Sequence, residues 1–190
     1  MSEATLQGQA TSLADLLFHT SGVSVQRCYQ CGKCSAGCPA TSEMDFTPSV
    51  VLRLLQTKTK EGERKVLGSY AIWLCLACQT CVARCPMEVD LPKAMDVLRA
   101  ESLRLNLVHP DAKDIVAFHT SFLHSIKRFG RLWEIGLVAE YKLRTRHFLQ
   151  DVVVAPLMLQ KGKLSILPSF NGKLVSRIFS GMKKLKEHTS

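Results

Sequence analysis

Eight cysteines carry the chemistry legible in this chain, and they fall into two copies of one pattern, CxxCxxCxxxCP. The first copy is Cys28, Cys31, Cys34 and Cys38 before Pro39; the second is Cys75, Cys78, Cys81 and Cys85 before Pro86. Thiolates at this spacing are ligands of cubane iron–sulfur clusters, and where two such runs share a chain the fourth cysteine of each serves the other run's cluster. The expected cofactors are therefore two 4Fe-4S clusters. One would sit on Cys28, Cys31, Cys34 and Cys85, the other on Cys75, Cys78, Cys81 and Cys38. Crossed ligation requires the two runs to fold against each other, and each proline ends its local turn.

Zinc is the main competing metal, because paired CxxC units with a longer loop between them also bind it. A third cysteine and a Cys-Pro step repeated without variation have no reason in a zinc ribbon. Disulfides are the other alternative. Residues 1–26 hold no Lys or Arg and no continuous apolar stretch of the kind a secretory signal needs. The expected compartment is therefore the cytoplasm, where disulfides are rare.

Cubanes with four cysteine ligands exchange single electrons and leave no iron open to a substrate, so the expected role is electron relay with no catalytic residue in this chain. No two glycines are spaced as GxG, which excludes the familiar dinucleotide and phosphate loops and assigns any flavin or nicotinamide to another subunit. The six histidines are scattered without a ligand-like pair. Gly32 and Gly37 are expected to let backbone N–H groups approach the sulfurs of the first run, and Arg27, Lys33 and Arg84 to raise potentials by favouring the reduced state. The second run has Gln79, Thr80, Val82 and Ala83 instead, so the two clusters are expected to differ in potential.

Helices must position these runs. Ser12 with Asp15 reads as the start of a short helix through Leu16 and Leu17 that ends at Gly22. Thr47-Pro48 and Asp90-Leu91-Pro92 repeat a start signal after each cysteine run. Val50, Val51, Leu54 and Leu55 would form one apolar face, and Leu91, Ala94, Met95, Leu98 and Leu105 another. Between them, Gly62 and Gly68 punctuate the charged stretch Lys58–Lys65 before a short helix over Tyr70–Leu74. Further on, Ile115, Phe118, Phe122, Ile126 and Phe129 mark a helix stopping at Gly130. Leu132, Ile135, Val138 and Leu143 mark the next, with Lys142, Arg144 and Arg146 at its end. Residues 151–172, broken by proline and glycine, include an extended arm over Leu164–Phe170. A basic amphipathic helix closes the chain, with Leu174, Ile178, Met182 and Leu185 opposite Lys173, Arg177, Lys183, Lys184 and Lys186. It would meet a membrane surface, a partner groove or the protein's own core.

The expected fold is all-α: an arm and short helix over 1–22, an α-helical two-cluster domain over 23–108, and a basic helical extension for subunit docking over 109–190. Residues 1–98 hold nine Lys/Arg and nine Asp/Glu, against sixteen and seven in residues 99–190, so the whole excess of +9 lies in the cysteine-free part. Such an excess suits an acidic partner, or offsets the negative clusters within the protein. The longest apolar run, Val152–Leu159, contains Pro156 and is far short of the ~20 residues of a membrane span.

The paired motifs RCYQCGKCSAGCP and LCLACQTCVARCP, the T-P and D-L-P helix starts, FGRLWEIGL and SILPSF together resemble the small iron–sulfur subunits, those lettered C, of the CoB–CoM heterodisulfide reductases. The likeness covers most of the chain, although the cysteine motifs alone are shared with other helical two-cluster proteins. The resemblance implies an α-helical ferredoxin fold in a complex of methanogenesis. There, electrons pass from a flavin-containing iron–sulfur subunit to a catalytic subunit that reduces the CoM-S-S-CoB heterodisulfide. A hydrogenase or formate dehydrogenase module and flavin-based electron bifurcation belong to the same implication. A relay subunit of a related sulfur-metabolism or quinone-linked complex is the nearest alternative. A zinc-stabilised basic adaptor for nucleic acid is the alternative of another class, and the expectation is that no nucleic acid is bound.

Overall fold

The start signals read from the sequence are used as helix caps. A computed structural model describes residues 12–146, 160, 175 and 177–181. The expected arm before Ser12, the Leu164–Phe170 arm and most of the closing amphipathic helix lie outside them. The described residues contain helices and 3-10 turns and no strand. By its contacts the chain divides into two compact units, Met1–Ala112 and Lys113–Ser190.

In the first unit, α1 (Leu13–Ser21) is opened by Ser12, whose Oγ accepts the Asp15 N–H at 3.2 Å, and closed by Gly22 at φ 72°. The helix α3 (Pro48–Gln56) starts at Pro48 after Thr47, and α7 (Leu91–Arg104) starts after Asp90, whose Oδ1 accepts the Lys93 N–H at 3.2 Å. Single turns α2 (Lys33–Ala36) and α6 (Thr80–Ala83) lie within the two cysteine runs. Between the runs stand α4 (Lys60–Leu67) and α5 (Ala71–Leu74). The hub is α7, which packs against α1, α4, α5 and α6. Its Ala94, Met95 and Leu98 are buried with Leu17, Val51, Leu55, Val66 and Ile72. Each large side chain in this set contributes roughly 1.5–3 kcal/mol by leaving water.

The α3 face is rotated from the sequence reading, while on α7 the expected Leu91, Ala94, Met95 and Leu98 are buried and the last member departs. On α3 the buried stripe is Pro48, Val51, Leu52 and Leu55, while Val50 is exposed. Positions 48, 51, 52 and 55 form one continuous i, i+3, i+4, i+7 row, and Val50 stands about 150° around the helix from its centre. Leu105 falls beyond the end of α7 and is exposed. The charged stretch before the second run is a helix, capped by Thr59, whose Oγ1 accepts the Gly62 N–H at 3.2 Å.

The second unit contains α8 (Lys113–Phe129) and α9 (Glu134–Thr145), packed on each other. On α8 the buried residues are Ser121 and Ser125, and Phe118 of the expected aromatic stripe is exposed. Two small residues one turn apart let α9 come close. Ser125 Oγ accepts the Trp133 N–H at 3.0 Å, and Phe118 meets Tyr141 edge-on at 6.1 Å. On α9 the buried residue is Leu137, while Val138 and Leu143 point to water. No helix among the described residues is long and apolar enough to cross a membrane.

Candidate metal centre

The two cysteine runs adopt the same backbone, position by position, at a shift of 47 residues. Cys28 and Cys75 are extended, at ψ 117° in both. Gln30 and Ala77 follow in the left-handed region at φ 65° and 51°, then Gly32 and Gln79 at 75° and 63°. Those reversals on either side of Cys31 and Cys78 curl each run into a loop, and the single turns α2 and α6 then carry Cys34 and Cys81. The N–H of Cys38 bonds Ser35 O at 3.2 Å, and that of Cys85 bonds Val82 O at 3.0 Å, closing each loop before its proline.

The loops meet through α2 and α6, and two cavities of nearly equal size lie between them. One, of about 410 Å³ including open solvent, is lined by Cys38 from the first run and Cys75, Cys78 and Cys81 from the second, with Pro39, Leu91 and Met95. The other, of about 370 Å³, is lined by Cys28, Cys31 and Cys34 from the first run and Cys85 from the second, with Leu52, Val89 and Leu91. Cys81 and Leu91 line both.

The sulfurs differ by their position in the run rather than by the run. Cys31 and Cys78 are exposed. The Lys33 backbone N–H holds the Cys31 thiol below its ordinary pKa, and the Thr80 hydroxyl and N–H do the same for Cys78. Burial pushes Cys34 up, and Cys81 up to about 11. Further donors reach the first and last sulfurs: Gln30 Nε2 stands 3.6 Å from Cys28 Sγ, and the Val89 N–H donates to Cys85 Sγ at 3.4 Å.

Residues 24–89 match the family model for a 4Fe-4S dicluster domain, and all eight cysteines lie within them. This stretch is a 4Fe-4S dicluster domain. Its cofactors are two 4Fe-4S clusters. Among curated proteins the chain is similar to the C subunit of a ferredoxin:CoB-CoM heterodisulfide reductase of Methanosarcina acetivorans, 38% identical over 77 residues, which are 40% of this chain and 30% of that one. It is also similar to the iron-sulfur C subunits of the CoB-CoM heterodisulfide reductases of Methanopyrus kandleri and Methanocaldococcus jannaschii. The first is 33% identical over 92 residues, 48% of this chain and 46% of the relative; the second is 30% identical over 115, 59% and 58%. The chain spans about half the length or less of several of these relatives, and the family model leaves the second unit unmatched.

The residues of the dicluster domain fit such guests. Thiolates are the soft ligands that iron–sulfur clusters select, and the two cavities present four and five thiols, with Cys81 in both, against otherwise largely apolar walls. No three His, Cys, Asp or Glu side chains among the described residues converge as a single metal ion requires. Thiols standing around a volume suit a cage whose irons occupy its corners.

Gly37 has a different task from the one its sequence suggests. Its N–H bonds Lys33 O at 3.2 Å and so closes α2 rather than reaching a sulfur. A Cβ there would run into the Arg84 side chain, which lies against it. Three further residues that motif reading passes over also shape the runs. Gln56 and Arg99 hold carbonyls at the head of each run. Asp45 caps α5 from a distance, its Oδ2 accepting the Tyr70 N–H at 2.9 Å and its Oδ1 the Ala71 N–H at 2.8 Å. Their partners are backbone groups 24 to 31 residues away, which no side-chain pattern encodes.

Proposed function

We propose that this chain is the electron-relay subunit of a heterodisulfide reductase complex of the cytoplasm. In that reading Cys28, Cys31, Cys34 and Cys85 hold one cluster and Cys75, Cys78, Cys81 and Cys38 the other. Electrons come from a flavin-containing iron–sulfur subunit and leave to the catalytic subunit that reduces CoM-S-S-CoB, with bifurcation at the flavin and a hydrogenase or formate dehydrogenase module upstream. When bound, each cluster takes up and releases one electron at a time.

The observation that carries the reading is the make-up of the two cavity walls: each brings three cysteines of one run together with the fourth of the other, and Cys81 stands in the wall that they share. The shared wall at Cys81 and Leu91 supports transfer between neighbouring sites within one small domain. The names of the relatives support the choice of complex. All eight cysteines are used as ligands in this reading, so none is left to attack a disulfide, and the chain by itself has no turnover.

The test begins with anaerobic purification of the full chain and of its Cys38→Ser variant. About eight irons and eight sulfides per chain are expected for the parent. In the variant, the spectrum that changes should be that of the cluster built chiefly by the second run. Disturbance confined to the cluster of Cys28, Cys31 and Cys34 overturns crossed ligation. Stoichiometric zinc, or disulfide reduction by the isolated chain, overturns the relay. Purification of the native complex with subunit identification tests the partners.

A further inference from the structure

The shift of 47 residues that relates the cysteine runs also relates the backbone atoms gripped by two side chains outside them. Gln56, the last residue of α3, donates through Nε2 to Val25 O at 3.0 Å and to Cys28 O at 2.5 Å. Arg99 of α7 donates through Nε to Ile72 O at 2.5 Å and through Nη2 to Cys75 O at 2.5 Å. Val25 moved on by 47 is Ile72, and Cys28 moved on by 47 is Cys75. Each run therefore has its first cysteine, and the carbonyl three residues before it, fastened to the helix that follows the run. One side chain does this in each case.

The two clamps match in geometry and differ in charge. Gln56 presents a neutral amide, further fixed by Gln30 Nε2, which donates to its Oε1 at 3.1 Å. Arg99 presents a guanidinium that stays protonated at any working pH. Its side chain is 18% exposed, whereas Asp96, the carboxylate 3.0 Å from its Nη1, is 67% exposed. The anion is thus screened by water more than the cation is, and the pair leaves net positive potential at the Cys75 carbonyl. The other cations of the cysteine loops, Arg27, Lys33 and Arg84, are exposed, where solvent and salt weaken their reach.

We infer that Gln56 and Arg99 are matched positioning residues for the two cysteine loops, and that Arg99 in addition raises the reduction potential of the cluster held by Cys75, Cys78, Cys81 and Cys38. The inference rests on the ligation proposed above. A cation fixed beside a ligand's backbone favours the form with the extra electron. Gln56 holds its loop without that bias. The chain thereby sets its two sites apart by gripping equivalent carbonyls with side chains of different charge, placed 43 rather than 47 residues apart.

The experiment uses the full chain, purified anaerobically with both clusters, as parent, Arg99→Gln, Arg99→Lys and Gln56→Arg. Each is titrated potentiometrically and followed by electron paramagnetic resonance. The signals are assigned with Cys31→Ser and Cys78→Ser, one ligand from each set. Arg99→Gln is expected to cut the reduced-to-oxidised ratio of the second cluster about tenfold at fixed potential, which is about 59 mV for a one-electron couple. The first cluster should not move. Arg99→Lys keeps the charge and should stay near the parent. Gln56→Arg should raise the first cluster. If Arg99→Gln and Arg99→Lys shift alike, or neither shifts, the charge is not the cause and the inference falls. Should Arg99→Gln lose its cluster, Gln56→Arg decides: no rise in the first cluster's potential overturns the inference. A parent without two reducible clusters sinks the ligation itself, an outcome distinct from flat potentials in a loaded protein.

Discussion

Gly32 and Gln79 occupy the same place in the two cysteine runs with the same backbone, φ 75° and ψ −3° against φ 63° and ψ −1°. The left-handed region costs an L side chain about 1–2 kcal/mol, and glycine escapes that cost. A Cβ built on Gly32 meets nothing within 4 Å, so Gly32→Ala introduces no clash and its effect is backbone strain alone. Alanine also narrows the unfolded ensemble, which offsets about 0.4–1 kcal/mol. The net expectation is a loss of about 0.5–1 kcal/mol in the first loop. Gln79 is exposed, so Gln79→Gly should reverse the balance and stabilise the second loop by a similar amount.

Unfolding of a cluster protein is rarely reversible, so the rate of cluster loss is the better measure. Bleaching of visible absorbance by an iron chelator without oxygen reports loop opening, and about 0.5–1 kcal/mol corresponds to roughly two- to fivefold in rate. Gly32→Ala should bleach faster by that factor and Gln79→Gly slower, and the double variant should combine the two effects, since the sites lie in separate loops. Gln79→Gly bleaching as fast as the parent or faster would refute the strain argument. Gln30 and Ala77 serve as an internal control, because both runs already carry a left-handed side chain there.

Two other perturbations test the supports of the runs. Asp45→Ala removes both acceptors from the head of α5, and with an exposed carboxylate about 1.4 kcal/mol is expected, the low end for charged hydrogen bonds. Amide exchange at Tyr70 and Ala71 should accelerate about tenfold, and unchanged exchange would show that the carboxylate is not their protection. Asp90→Ala removes the cap of α7 and should cost about 1 kcal/mol, read as earlier thermal loss of helical signal, with Asp90→Ser recovering most of it.

What the sequence makes legible is chemistry whose partners lie close along the chain. Ser12, Asp90 and Gly22 act within four residues of themselves, and all three mark their helix ends. The cysteine spacing belongs to the same class, since the loop that it builds is local. Faces are less legible, because an apolar arc wider than the contact leaves its centre free to choose. Packing on α1, α2 and α4 selects Val51, Leu52 and Leu55 over Val50 on α3. Gly62 reads as punctuation in a charged stretch, yet it is a buried helical residue. A Cβ there would stand 3.1 Å from Leu54 O and 2.9 Å from Thr59 Oγ1, so the glycine lets α4 lie close on α3. Ser121 and Ser125 do likewise on α8, where the aromatic stripe dominates the pattern and the small residues take the contact. Asp45, Gln56 and Arg99 are the least legible, since a backbone carbonyl or N–H has no letter in the sequence.

Gly37 and Arg84 show why a duplicated frame cannot stay symmetric where its halves touch. The two are one position, shifted by 47 residues, each preceding the fourth cysteine of its run. A position that lies where two repeats meet faces its own counterpart. Two arginines there would compete for one space and repel, while two glycines would leave the space unfilled. The structure has one of each, with the Arg84 side chain laid on the Cα of Gly37 where any side chain would collide with it. The pair is therefore one contact written in two halves of the sequence, and Gln56 with Arg99 is a second place where the halves diverge. The frame repeats where it must curl around thiols of one chemistry, and departs from repetition where the halves meet or differ in charge.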